Sequence, residues 1–123
     1  MIARVWRGET RRELADAYVE YLIRTGVRTC RETPGNQGIY VLRRLEPAGA
    51  EFVFVSFWDS YDGIRRFAGP QPEKAVFYPE DERFLVRREE LVSHYEVAVP
   101  PDPLGLIEPA ARPSFARFLI RHE

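Results

Sequence analysis

Cysteine and histidine are nearly absent from this chain of 123 residues. One cysteine (Cys30) and two histidines (His94 and His122) are present. One thiol cannot form an internal disulfide, which suits a reducing, cytoplasmic setting. One thiol and two imidazoles are also too few for a closed structural zinc site within one chain, so no metal is expected. Charge of one sign is lacking too. The formal net charge is −1, which gives no electrostatic case for nucleic acid or an anionic membrane. No stretch approaches the roughly 18 uninterrupted apolar residues that a bilayer span needs. The opening residues, MIARVWRGE, alternate instead of forming the apolar core of a signal peptide.

Aromatic residues are what the chain has in quantity: eight Phe, six Tyr and two Trp. Each can serve core packing or line an aromatic pocket. The length suits one domain with one core.

Period-two alternation in MIARVWRG (1–8) predicts a first strand, with Ile2, Arg4 and Trp6 on one side. A helix over 9–26 follows. Thr10 and Glu13 have the spacing of a capping box. Leu14, Tyr18, Tyr21 and Leu22 form its apolar stripe, and Gly26 is placed to stop it. Residues 27–38 read as a loop, which places Cys30 in it. IYVLRRLE (39–46) and EFVFVSFWD (51–59) read as two strands joined tightly through PAGA, hence an antiparallel hairpin. The second of these is apolar on both faces, which requires cover on both. A short helix over 59–69 turns Ile64 and Phe67 inward and ends at Gly69-Pro70. An irregular segment (70–85) leads to ELVSHYEVAV (90–99), the last strand. Residues 100–123 form an extension expected to pack on the dimer.

The order β-α-β-β-α-β is the ferredoxin-like α+β pattern, a four-stranded antiparallel sheet with two helices on one face. The other face is expected to meet a second copy, which gives a dimeric α/β barrel.

The stretches MIARVWRGET, ADAYVEYL, TPGNQGIYVLRR, FWDSYDGIRRFAG, AVFYPEDERFL and VSHYEV resemble the antibiotic biosynthesis monooxygenase group of the dimeric α/β-barrel superfamily. The resemblance implies a homodimer with an apolar cavity in each subunit. It also implies an oxidoreductase that uses molecular oxygen, without a cofactor, to turn an aromatic or polyketide-like phenol into a quinone. Trp58, followed by Ser60, matches the tryptophan of the quinone-forming and haem-degrading branches. The chain departs from both at other points: Phe54 stands where the quinone-forming branch carries asparagine, and RRFAGP lacks the histidine of the haem branch.

The candidate site follows from placing these residues on one face, read as the face turned away from the helices. His94 is the candidate general base, because its ordinary pKa lies near neutral. Trp58 is the second candidate catalytic residue, and it and Trp6 could stack on a planar substrate. Arg4 would hold an oxyanion or carboxylate. Phe54, Ser56, Tyr78 and Glu96 complete the substrate-binding set. A plainer reading stands beside this one: Arg4 and Glu96 form a cross-strand ion pair, and the protein is a non-catalytic dimer that binds a small ligand or is purely structural.

Overall fold

The computed structural model describes residues 1–101; the extension beyond them lies outside the described residues. β1 (Ile2–Arg11) leads into a short 3-10 turn (Arg12–Leu14), α1 (Ala15–Leu22), a π-helical stretch (Ile23–Val27) and α2 (Arg28–Glu32). β2 (Asn36–Leu45), β3 (Gly49–Trp58) and α3 (Tyr61–Ala68) follow, then α4 (Asp81–Phe84), β4 (Leu85–Arg88) and β5 (Ser93–Glu96). The sheet runs β2-β3-β1-β4, and β5 also pairs with β1; every pairing is antiparallel. This is the ferredoxin-like α+β order expected from the sequence.

Three local expectations are corrected. Thr10 does not cap a helix. β1 continues through it, with Thr10 opposite Ala50 in the β3 ladder, and its hydroxyl donates to the Arg11 carbonyl at 2.8 Å. A ladder partner on β3 satisfies the backbone that the cap would have served. Gly26 does not stop the first helix, which carries on through the π-helical stretch to Glu32. The hydroxyls of Thr25, Thr29 and Thr33 donate to the carbonyls of Tyr21, Thr25 and Thr29, each four residues back, at 2.7 to 2.9 Å. Gly26 is instead a place of close approach: a Cβ there would meet the Phe54 ring at 3.2 Å. Cys30 therefore lies in a helix, fully buried, and not in a loop. The last edge is also two short strands, not one. Between β4 and β5 the chain turns to the segment before it, where Ala75 N–H donates to Glu90 O (3.0 Å) and Val92 N–H to Glu73 O (2.8 Å).

The core lies between the helices and one face of the sheet. Tyr18 packs edge-on to Phe52, with ring centroids 4.9 Å apart, and Phe84 joins them. Trp58 packs with Ile64 and Cys30 under α3, and Ser60 starts that helix by accepting from Gly63 N–H at 3.3 Å. The opposite face carries Ala3, Val5, Val53, Val55 and Phe57 at its centre. Tyr40, Leu42 and Tyr95 toward its edges are more than half exposed.

Candidate functional site

Strand register decides which side chains meet. Arg4 lies opposite both Ser56 on β3 and His94 on β5; Trp6 lies opposite Phe54, and Ile2 opposite Trp58 and Glu96. Alternation then puts Arg4, Trp6, Phe54, Ser56, Trp58, His94 and Glu96 on one face, as the sequence suggests. That face is the one under the helices, since Phe52 and Trp58 belong to it and pack on α1 and α3. The expectation that it points away from the helices is therefore overturned. Tyr95 pairs with Ala3 and takes the open side instead. Strand alternation sorts residues into two sets, but cannot say which set the helices cover.

A small cavity of about 50 Å³ opens between this face and the helices. Arg4, Trp6 and Phe54 form its sheet wall. Tyr18, Leu22 and Gly26 come from the first helix and Phe67 from α3; Val76, Phe77, Tyr78 and Asp81 close it. The walls are apolar and aromatic with a few polar groups, which is the make-up of a small-molecule site. It is well below the roughly 300 Å³ at which ligand pockets usually begin, so a ligand has to displace part of the wall.

Arg4 is the centre of the polar chemistry. It is 6% exposed, and its Nη2 donates to Lys74 O at 2.6 Å and Pro72 O at 3.4 Å. Its Nε is buried without a partner. No carboxylate pairs with it among the described residues. Glu96 is exposed at the sheet edge, so the Arg4–Glu96 ion pair does not form. Desolvation lowers the Arg4 pKa, with Cys30 and Tyr78 opposing; a guanidinium stays charged nonetheless. The Tyr78 phenol oxygen is likewise buried and unpartnered. Thr29 is near it but outside good hydrogen-bonding geometry. Trp6 crosses Gly8, where a Cβ would fall 2.3 Å from its ring, and donates to Glu89 O at 2.9 Å.

The two residues given catalytic roles stand elsewhere. Trp58 is completely buried and donates to Ser56 Oγ at 2.8 Å; neither it nor Ser56 is at the cavity wall. His94 packs edge-on to Tyr61, with centroids 5.4 Å apart, and its Nε2 is buried without a partner. It too is absent from the wall. Burial first, then the Arg4 charge, lowers its pKa. The folded imidazole therefore takes a proton less readily than the unfolded one. Stability is complete above about pH 6.5 and falls as pH drops through that value. Melting temperatures across pH 5 to 8 are expected to show this slope in the wild type and a flatter one in His94→Gln. An unchanged slope would assign it to other groups. Cys30, beside Arg4, has its thiol pushed up to about 12 by burial, with Arg4 and Ser56 pulling the other way. A thiol held protonated is a packing group, not a nucleophile.

Asp81 is the charged wall residue that the sequence does not single out. The run YPEDERF gave no period by which to single it out. It is 5% exposed, and its Oδ2 accepts from Tyr78 N–H at 2.6 Å. Among the described residues no three His, Cys, Asp or Glu side chains group as metal ligands. A haem does not fit these residues, since the cavity is far too small for a porphyrin and no histidine stands at its wall among the described residues.

Fold and cavity together define a ferredoxin-like α+β domain with a small aromatic pocket under its helices. Solved structures share this fold. One is a candidate antibiotic biosynthesis monooxygenase from Bacillus cereus, 12% identical with a TM-score of 0.56, over 83% of this chain and 95% of that one. Another is a mutant of MhuD with two manganese protoporphyrin IX groups bound per active site, 16% identical with a TM-score of 0.53, over 83% and 99%. The chain thus has the fold of antibiotic biosynthesis monooxygenases. No protein-family model matches it, and no curated protein does. No helix among the described residues is long and apolar enough to cross a membrane.

Proposed function

We propose that this protein is a cofactor-independent monooxygenase that oxidises a small phenolic ring to a quinone in the cavity under its helices. One observation carries the reading: among the described residues Arg4 is a buried cation with no carboxylate partner and a free Nε–H, set in an aromatic wall. Such a group stabilises an anionic oxygen on an aromatic ligand, where low dielectric strengthens the charge-assisted hydrogen bond. A phenolate is electron-rich enough to reduce O₂. One oxygen atom enters the ring and the other leaves as water, and the ring supplies all four electrons. The protein's part is to bind the ring, hold the oxygen anionic and exclude water.

The working form in this proposal is a homodimer. The open sheet face, with Val53, Val55 and Phe57 at its centre and Tyr40, Leu42 and Tyr95 around them, is the surface for a second copy. Covering it would account for the two-sided apolar character of β3.

A second reading is a non-catalytic dimer that binds a small ligand. The small cavity and the absence of His94 and Trp58 from its wall favour it. Purified protein incubated in air with simple phenols, naphthols and anthrones separates the two. Quinone formed with one O₂ consumed per turnover, by a species of twice the chain mass in light scattering, is the expected result. Binding without O₂ uptake would leave the second reading. No binding would remove both, and a monodisperse monomer would remove the dimer.

A further inference from the structure

Phenol oxidation needs a proton acceptor, and His94 does not reach the cavity. Only two charged residues among those described stand at its wall, Arg4 and Asp81. The Asp81 carboxylate is 5% exposed and has no ion pair among the described residues. Its structural duty is to accept from Tyr78 N–H and close the turn before α4. That duty needs an acceptor atom, not a charge; an asparagine would do it without the penalty of burying an ionised group. Arg88 and the Tyr21 hydroxyl favour the ionised form in part, but no ion pair among the described residues offsets its burial.

We propose that Asp81 is the proton acceptor of the cavity, taking the hydroxyl proton of a bound phenol whose oxygen Arg4 then holds. This rests on the pocket reading above. The ligand O–H bond breaks and a carboxyl O–H bond forms. The electron pair stays on the phenolate oxygen, and nothing is oxidised in this step. The negative charge moves from Asp81 to the oxygen beside Arg4, so the pocket keeps its net charge and nothing is released to solvent.

The groups facing Asp81 agree with this role. Tyr18 and Tyr21 approach from α1, Tyr78 and Glu80 from its own segment, and Arg88 from β4. Arg88, the one cation among these, is engaged by Glu90 at 3.1 Å and lies over the Phe77 ring. Burial raises the Asp81 carboxyl; the Tyr78 N–H, the Tyr21 hydroxyl and Arg88 pull it back only in part. A raised carboxyl is the better match for a phenol proton.

The test uses 4-nitrophenol, whose neutral and ionised forms absorb differently, with the full-length chain, in the pH window above the ionisation of the Asp81 carboxyl and below that of the free phenol. In the wild type the bound probe is expected to show its phenolate spectrum, constant with pH, with no proton released to a weakly buffered solution. In Asp81→Asn the acceptor for Tyr78 N–H survives, so melting is expected at the same or a higher temperature. Its bound phenolate should instead fall about tenfold per pH unit below its midpoint, with a proton released on binding. A wild-type phenolate signal that itself titrates with pH, or a bound probe that stays neutral, would overturn the role of Asp81 and leave the pocket reading standing. A wild type that does not bind the probe would take down both. The wild-type arm needs no variant, so a poorly folded Asp81→Asn leaves the test intact.

Discussion

Trp58→Ala is expected to cost about 3–5 kcal/mol of folding stability, the usual price of truncating a fully buried tryptophan. Trp58 is 0% exposed and packs with Ile64 and Cys30, its ring 5.8 Å from that of Phe67. A Cβ added at Gly63 would lie 3.2 Å from it, so α3 rests directly on the indole. Truncation opens a void beneath the helix and strands the Ser56 hydroxyl that accepted from the indole N–H. For a domain of this size the loss is a fall in melting temperature of about 10–25 °C. Trp58→Phe keeps a ring and loses the hydrogen bond, at about 1–2 kcal/mol. Chemical denaturation of the three proteins measures the series. Because Trp58 is not at the cavity wall, Trp58→Phe is expected to retain phenol binding. A loss below about 1 kcal/mol in Trp58→Ala, or lost binding in a stable Trp58→Phe, would contradict this placement.

The second large effect is on ligand binding. Arg4→Met is expected to weaken binding of an ionised phenol by about 2–5 kcal/mol, roughly 30-fold to a few thousand-fold, as for removal of a buried charge partner. Binding of the methyl ether of the same phenol should be nearly unchanged, because it presents no anion. Stability should move far less. The substitution leaves the Pro72 and Lys74 carbonyls without their donor, but also relieves the desolvation of a cation whose Nε is unsatisfied. Titration of the phenol and ether pair against both proteins, with melting temperatures alongside, decides the matter. Equal losses for both ligands would mean that Arg4 only shapes the wall.

Much of the site was legible residue by residue. Strand alternation groups Arg4, Trp6 and Phe54 on one face, and Tyr78 belongs to the substrate-binding set expected from the sequence; all four line the cavity. His94 and Trp58 drew notice for their chemistry, but their surroundings are a Tyr61 ring and the packing under α3. Asp81 was not legible, because an acidic residue within an irregular, charged run looks like solvated surface. Only the backbone path that turns its carboxylate toward Tyr78 N–H buries it.

The sequence by itself determined the element order as far as α3, the β2–β3 hairpin and the parity that groups Arg4, Trp6, Phe54, Ser56, Trp58 and His94. Period and turn chemistry are local, so the chain carries them openly. Tertiary structure decided which face the helices cover, and with it that the site lies under them. It also carried the first helix past Gly26, because a glycine leaves space at the point where Phe54 approaches, and threonine hydroxyls bond back along the turn. The two sides of a strand have the same periodicity. Choosing between them takes contacts between residues far apart in the chain, such as Tyr18 on Phe52 and Ile64 on Trp58.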